Sequence, residues 1–516
     1  MGIPSLRRSA SVLLLVCAAG CIEASPVDPS CSDGRSRCVA QVSLGAHFGC
    51  ALLRDRSVWC WGRNDEAQLG YPTTDLCPDE LPDGQTRAVA CHAFPFQVLG
   101  LDRAVAVSAG GAFACALRDD GTLRCWGSNS AGQLGNGLTL PSSTPATVLG
   151  LAGVTAVATG ARHACAVADG RVYCWGANDR GQLGQVATSR QCAVGAASLP
   201  CETLPTVIDT LADVVAITVG AAHTCARTSK GIVICWGDDR YGQMGDGQAA
   251  TMPAANPRAV IRGEEPIDGV LDLASAGDFT CGRNAEGLVW CWGRNDLGQL
   301  GSAATGSVPA NCSGPCSPQP AQVPGLDFRV SPVDAGTDAS TDALAEADGE
   351  ARWDAGGDGG RDAGVDAPDD VTTADGGAGD AGDAGDAGDA TEPGDVVPVR
   401  DAVAAPSMVP RGIAVGGTFG CAVLDDGTVR CWGDDSLGQL GDGQRGRDPQ
   451  GPVMVIATPG AAATNPLQRV VSIAGGVDNA CALLADGSLR CWGSNRSGAL
   501  GIGSTSVQAG PVPVSW

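Results

Sequence analysis

Lysine is almost missing from this 516-residue chain: Lys230 is the single one among 33 basic side chains, and only four histidines stand beside it. No Gly-x-x-x-x-Gly-Lys phosphate loop, no His-Glu-x-x-His zinc helix and no Gly-x-Ser-x-Gly nucleophile elbow occurs. Long apolar runs are missing too, since nothing beyond the N-terminus reaches the roughly 18 uninterrupted residues that a membrane span requires. A basic surface is excluded by a formal charge of −24 at pH 7, so nucleic acid is not an expected partner. That acidity is uneven, because residues 331–400 hold 16 Asp and 3 Glu against 3 Arg and leave a net of −8 for the rest. What the chain has in plenty is 75 Gly, 31 Pro and 24 Cys, which predicts short strands joined by turns in an oxidising compartment.

The N-terminus carries an address. Arg7 and Arg8 precede the apolar run from Ser11 to Ala19, and Ala18, Ala19 and Gly20 lead into Cys21. The run is too short to span a bilayer. A small-residue box ending in cysteine resembles the bacterial lipoprotein signal, which implies residues 1–20 as signal peptide, Cys21 as the lipidated N-terminus and residues 21–38 as a tether. The alternative is an ordinary secretory signal cleaved near Ala24.

Seven copies of Cys-Trp-Gly follow, at Cys60, Cys125, Cys174, Cys235, Cys291, Cys431 and Cys491. Each leads into an Asn/Asp-rich turn and a Gln-Leu-Gly-like tail, as in CWGSNSAGQLGNG from Cys125. A second cysteine precedes each copy, at Cys50, Cys115, Cys165, Cys225, Cys281, Cys421 and Cys481. In CALRDDGTLRC, apolar and polar residues alternate on both sides of Asp119-Asp120-Gly121, the pattern of a β-hairpin with a three-residue loop. Counting outward, Leu117 faces Leu123 and Cys115 faces Cys125. The third copy is one residue shorter, and a two-residue Asp169-Gly170 turn still places Cys165 opposite Cys174.

Opposed residues of an antiparallel pair lie within disulfide reach, so each repeat is expected to hold one cross-strand bridge. The other cysteines also fall into local pairs: Cys31 with Cys38, Cys77 with Cys91, Cys192 with Cys201 and Cys312 with Cys316. Setting aside Cys17 in the signal and Cys21, all remaining cysteines pair. Zinc is the competing use of cysteine, but zinc ribbons pair two close Cys-x-x-Cys knuckles and the spacing here is nine or ten. No metal ligand set and no cofactor is expected.

Two residues before the first cysteine of each repeat stands Phe48, Phe113, His163, His223, Phe279, Phe419 or Asn479. A position shared by Phe and His predicts packing, with the histidines satisfied. Upstream, most repeats carry a Pro and a Val-Leu/Pro-Gly-Leu segment expected to be a further strand, which gives about four strands per unit.

The order Gly-Gly/Ala, His/Phe, Cys-Ala-Leu, Asp-Gly-Thr, Cys-Trp-Gly, Asn, Gly-Gln-Leu-Gly resembles the regulator of chromosome condensation repeat over residues 39–328 and 411–516. The cysteine-paired form resembles an exported bacterial branch of that family. The resemblance implies an all-β fold: a seven-bladed β-propeller of four-stranded antiparallel blades, interrupted by one long disordered acidic insert at 329–410. Ring closure is expected from Pro511–Trp516 joining the sheet of Val39–Leu44. The insert is placed within one repeat, because Trp292 and Trp432 are 140 residues apart while the other intervals run from 49 to 65. Its DAGDAGDAGDA composition has almost nothing to bury and repels itself. It contains no 12-residue calcium loop of the EF-hand kind.

Two functions follow from the resemblance. In the nuclear branch the propeller acts on a small GTPase as a nucleotide exchange factor and docks on chromatin, neither of which fits an exported acidic chain. Other members are recognition propellers whose ring face presents loops to a protein. The expectation is therefore a non-enzymatic, lipid-anchored monomer at the outer membrane or cell surface, binding an envelope or extracellular protein. A secreted or periplasmic location and an envelope hydrolase are the alternatives. Recognition is expected in the disulfide-closed inserts, because ordering a loop beforehand lowers the entropy cost of binding.

Overall fold

The computed structural model describes residues 38–80, 86–185, 190–250, 254–302, 312–326, 409–446, 451–462 and 464–516. The expected signal peptide, Cys21, Cys31 and nearly all of the 329–410 insert lie outside the described residues. The described residues all belong to one compact unit.

The hairpin chemistry sets the architecture. Gly121 takes the left-handed conformation (φ 75°) that closes the three-residue loop, and Asp169 (51°) and Gly170 (72°) together form the two-residue turn of the shorter repeat. Alternation then fixes the register. Leu117 pairs with Leu123 and Cys115 with Cys125 in one hairpin, Cys165 with Cys174 in the other. In the second repeat a strand at Ala104–Ala109 joins that hairpin on one side and Ser142–Thr147 on the other, making an antiparallel sheet of four. Seven such sheets occur, and the first and third carry a fifth strand, Leu76–Glu80 and Gln191–Val194. This is a seven-bladed propeller of four-stranded antiparallel blades. Among the described residues the sole helical element is a three-residue 3-10 turn at Arg496–Gly498.

A single blade cannot bury both of its faces, so the core lies between blades. Seven apolar clusters each join one blade to the next. One links Phe48, Leu52 and Val58 of blade 1 to Val107, Ala116 and Trp126 of blade 2, and the last links Leu483 and Leu489 of blade 7 to Val42 and Trp61 of blade 1. All seven Cys-Trp-Gly tryptophans are fully buried in these seams. Each indole Nε1 donates to a backbone carbonyl of the preceding blade: Trp126 to Gln68 at 3.0 Å, Trp175 to Gln133 at 2.8 Å, Trp236 to Gln182 at 2.9 Å. The last glycine of each Gly-Gln-Leu-Gly tail explains itself here. At Gly135 (φ 64°) a Cβ would lie 2.9 Å from the Trp175 indole nitrogen.

Three expectations about strand assignment are corrected. The chain ends in a strand, Gln508–Pro513, but it pairs with Leu489–Gly493 and completes blade 7 instead of joining Val39–Leu44. The first and last described strands therefore share no sheet, and the ring closes through the apolar seam, the Trp61 indole and isolated backbone bonds, Val39 N–H to the Gly487 carbonyl at 3.1 Å and Gly503 N–H to the Ala93 carbonyl at 3.0 Å. Secondly, the Val-Leu/Pro-Gly-Leu segments are turns. The Pro-bearing strand before each of them is the outer strand of the preceding blade, and Val148 and Leu151 pack into the seam where the chain crosses over. As a consequence, Val323–Leu326 closes blade 5 and Pro410–Val415 opens blade 6. The insert thus enters a connection between two blades, and each flanking blade is complete without it.

Candidate recognition face and channel

The innermost strands of all seven blades surround a channel of about 1310 Å³. Neighbouring inner strands do not pair, so side chains bridge them. Gln41 both donates to the Val107 carbonyl (3.1 Å) and accepts from its N–H (3.0 Å), Ser43 Oγ accepts from Ala109 N–H (2.9 Å), and Ser108 meets Thr159 at 2.8 Å. These hydroxyls have no histidine or carboxylate partner in those contacts, so the wall offers polar bridging and no activated nucleophile.

At one mouth the chain turns through the Gly-Gly/Ala loops beneath the Phe/His position. A Cβ on Gly45 would lie 2.1 Å from the Phe48 ring, and a Cβ on Gly416 would lie 2.0 Å from that of Phe419. Glycine is required by that approach. His163 and His223 are fully buried, as Phe48, Phe113, Phe279 and Phe419 are, with Asn479 nearly so. His163 Nε2 lies 3.0 Å from Thr224 Oγ1 and His223 Nε2 lies 2.8 Å from Thr280 Oγ1. Thr224 in turn donates to the Gln182 carbonyl at 3.1 Å, which leaves its oxygen to accept from the His163 ring N–H. Burial depresses the two imidazoles to about 3 and about 4, so both are neutral at ordinary pH. Where the ring is phenylalanine, the residue offered by the next blade is small: Phe48 with Ala114, Phe113 with Ala164 and Phe419 with Ala480, while Gly420 holds the equivalent position for Phe279. Where it is histidine, that residue is threonine. The co-occurrence of His with a following Thr is the sequence signal that identifies these histidines as packing residues.

The disulfides sit behind this mouth. Each hairpin pair, Cys50–Cys60, Cys115–Cys125, Cys165–Cys174, Cys225–Cys235, Cys281–Cys291, Cys421–Cys431 and Cys481–Cys491, is bonded with its Cα atoms 4.1 Å apart. That spacing belongs to the narrow, non-hydrogen-bonded site of an antiparallel ladder. Cys77–Cys91, Cys192–Cys201 and Cys312–Cys316 are bonded as well. Cys38 is disulfide-bonded, and its expected partner Cys31 lies outside the described residues.

The fold brings the three inserts to a common place. Cys91 pairs in register with Arg63, Cys201 with Ala177 and Cys316 with Arg294, so each insert leads into the outer strand of blade 1, 3 or 5 at the mouth that carries the Gly-Gly/Ala loops. Large apolar side chains are left exposed beside them. Leu76 is 67% exposed, Phe94 48% and Leu140 71%, with Leu138 and Leu204 nearby. Around the first insert, Phe96 stacks at 4.8 Å from Tyr71 and lies within 6.4 Å of Trp59, with His92 and Phe94 adjoining. Sequence reasoning passed over this cluster, although CHAFPF at Cys91–Phe96 gathers two of the chain's seven phenylalanines into six residues.

The same mouth is charged unevenly. Asp238 binds Arg240 at 2.6 Å, while Arg294 contacts Asp278 at 3.4 Å and Asp296 at 2.5 Å and lies 5.0 Å over the Tyr241 ring. Burial raises Asp278 above the ordinary carboxylate range, with Asp238 adding repulsion, and burial raises Asp478 in the same way. Among the described residues no three His, Cys, Asp or Glu side chains converge.

Comparison with known proteins agrees with this geometry. The family model of the RCC1-like domain matches residues 18–353, and that of the regulator of chromosome condensation (RCC1) repeat matches 411–439 and 470–499. The chain is similar to the human protein named probable E3 ubiquitin-protein ligase HERC6, 30% identical over 244 residues that cover 46% of this chain and 21% of that protein. It is 27% identical over 270 residues to the ultraviolet-B receptor UVR8 of Arabidopsis thaliana, covering 51% of this chain and 54% of the receptor. It thus spans about a fifth to about half of the length of these relatives. Among solved structures, human WBSCR16 superposes with a TM-score of 0.60 at 20% identity, covering 89% of this chain and 94% of that one. Prp20p of Saccharomyces cerevisiae superposes with 0.55 at 16% identity, covering 95% and 90%. These likenesses show a shared fold. Seven closed blades, their repeated Cys-Trp-Gly turns and a family match over most of the chain lead to one conclusion: the chain belongs to the RCC1-like domain family.

Proposed function

We propose that this propeller is a recognition module that binds another protein through its insert-bearing mouth, without covalent chemistry, and that it is exported and held at the outer membrane or cell surface by lipid on Cys21. One observation carries the binding reading. The repeated residues are consumed by strand pairing, bridges and indole hydrogen bonds, whereas the three disulfide-closed inserts open on one face of the ring, where Leu76 and Phe94 flank the first insert and Leu140 of blade 2 is exposed. Exposed apolar side chains beside pre-ordered loops are the composition of an interface centre. Relatives of the fold include a yeast RCC1 seen bound to Kap60, in keeping with a protein partner for this chain.

Affinity capture with the mature, oxidised protein tests the reading, using extracellular and envelope fractions. Replacing each insert by the short connection between Trp126 and Trp175 is expected to keep the fold and lose the captured protein. Equal capture by the triple replacement would move recognition elsewhere. For the anchor, Cys21→Ser is expected to shift the chain from membranes to a soluble fraction, since acyl burial contributes about 0.8 kcal/mol per CH₂. Unchanged fractionation would leave the anchor unsupported.

A further inference from the structure

We propose that the loop from Asp239 to Ala250 in blade 4 binds a calcium-class divalent cation between the carboxylates of Asp239 and Asp246 and the backbone carbonyl of Gln248.

The argument begins in blade 2. There the Asn after Cys-Trp-Gly-Ser is fully buried, and its side chain organises the loop that follows. Asn129 Oδ1 accepts from Leu134 N–H at 2.9 Å, and Nδ2 donates into three oxygens: Leu138 O at 3.0 Å, Leu140 O at 2.9 Å and Asn136 Oδ1 at 3.3 Å. In blades 1, 3, 5 and 7 the equivalent Asn64, Asn178, Asn295 and Asn495 likewise donate through Nδ2 to a loop carbonyl. An amide donor is the centre of an oxygen cage.

Blade 4 keeps the loop and inverts the chemistry. Asp239 replaces Asn129 and Asp246 replaces Asn136, with Gln248 and Ala250 at the spacings of Leu138 and Leu140. As far as Gln248 the backbone follows the same path; beyond it the loops part, since Ala250 N–H donates to the Asp239 carbonyl at 2.9 Å. Gly137 and Gly247 have φ of 82° and 84°, Leu138 N–H and Gln248 N–H donate to Asn136 Oδ1 and Asp246 Oδ1 at 3.1 Å each, and Gly137 and Gly247 donate to Thr203 and Pro318 of the next blade. Asp239 Oδ1 accepts from Met244 N–H at 3.1 Å, the role of Asn129 Oδ1, so Oδ2 takes the place of the amide nitrogen. That oxygen is buried without a hydrogen-bond donor, and the residue is fully buried. The Asp246 charge acts on Asp239 across this loop, and carboxylate and carbonyl oxygens are the ligands that calcium takes, at about 2.3–2.6 Å. A hard cation supplies the positive charge that the amide provides elsewhere.

The surroundings set the affinity. Arg258 binds Asp246 Oδ2 at 2.8 Å and offsets one of the two charges, while Asp238 adds negative potential and is itself paired with Arg240. A site with this charge count belongs in the weak range, with a dissociation constant of about 10⁻⁴ to 10⁻³ M. Asp435, Asp442, Gln444 and Gly446 repeat the spacing in blade 6, and the proposal rests on blade 4 alone.

The test uses the mature, oxidised full chain and calcium chloride at pH 7.5. Equilibrium dialysis is expected to show one fewer calcium bound per chain in the variant D239N/D246N, which recreates the Asn129/Asn136 pair. In hydrogen exchange of the unmutated protein, calcium is expected to slow exchange in the peptide covering 239–250 and leave the 129–140 peptide unchanged. Equal calcium stoichiometry in the two proteins, or equal response of the two peptides, overturns the proposal. It is also overturned if 239–250 responds to acidification but not to 10 mM calcium, for then a proton alone satisfies Asp239.

Discussion

Trp61 Nε1 donates to the backbone carbonyl of Ala499 at 2.9 Å across 438 residues of sequence. It is the same bond that Trp126 makes to Gln68 in the adjacent blade, and it turns seven consecutive repeats into a closed ring. The acceptor is a backbone group, so the motif tolerates alanine where the other tails carry glutamine.

Trp61→Phe removes this donor and leaves a buried carbonyl unsatisfied. It is expected to lower stability by about 1–3 kcal/mol, while Ala499→Gln should lie within about 0.5 kcal/mol of the parent protein. Denaturant unfolding followed by tryptophan fluorescence measures both. A neutral Trp61→Phe would mean that the apolar seam alone closes the ring.

The hairpin bridges each close a loop of about ten residues. Removing one as a pair, C115A/C125A, is expected to cost about 2–3 kcal/mol in the chain-entropy model. Non-reducing peptide mapping of protein from its native compartment should recover the seven hairpin pairs. Finding those cysteines as free thiols would contradict the oxidising compartment.

Acid should weaken the seams that hold His163 and His223. Both are depressed from 6.5 to about 3 and about 4, so the unfolded chain binds protons that the folded one refuses. Their stabilisation is complete above pH 6.5 and is lost as pH falls toward 4, by up to about 1.4 kcal/mol per pH unit for each histidine. Asp239, raised to about 7 by burial, works in the opposite direction, losing stabilisation as pH rises through 7. The measurement is therefore a difference: H163F/H223F with T224A/T280A, which restores the Phe–Ala pairing, should gain on the parent as pH falls from 6.5 to 4. A constant gap across that range would refute the assignment.

Because Val323–Leu326 completes the exit from blade 5 and Pro410 starts blade 6, the segment between them is a connection. Replacing residues 334–401 with a short Gly/Ser linker is expected to leave the propeller's thermal unfolding unchanged within about 1 kcal/mol, since loop closure changes by about 0.6 kcal/mol per doubling of length. Loss of cooperative unfolding would make the segment structural.

The sequence by itself determined the hairpins, because a period of two and a left-handed glycine are local: CALRDDGTLRC specifies which residues face each other before any blade exists. It also determined the number of blades through seven Cys-Trp-Gly copies, and the class of the fold. Blade boundaries and ring closure were decided only by the tertiary structure. A Pro-bearing strand reads alike whether it opens one sheet or finishes another, and the choice falls to the free edge that the third strand presents, at Cys125 for Ala146 and at Cys491 for Val512. The candidate site divides in the same way. The cysteine spacings of the three inserts are written in the chain, but their placement on one face of the ring depends on where the outer strands of blades 1, 3 and 5 begin. The pairing of Asp239 with Asp246 is likewise visible as letters, and it acquires meaning when the fold places a carboxylate oxygen where five other blades hold an amide nitrogen.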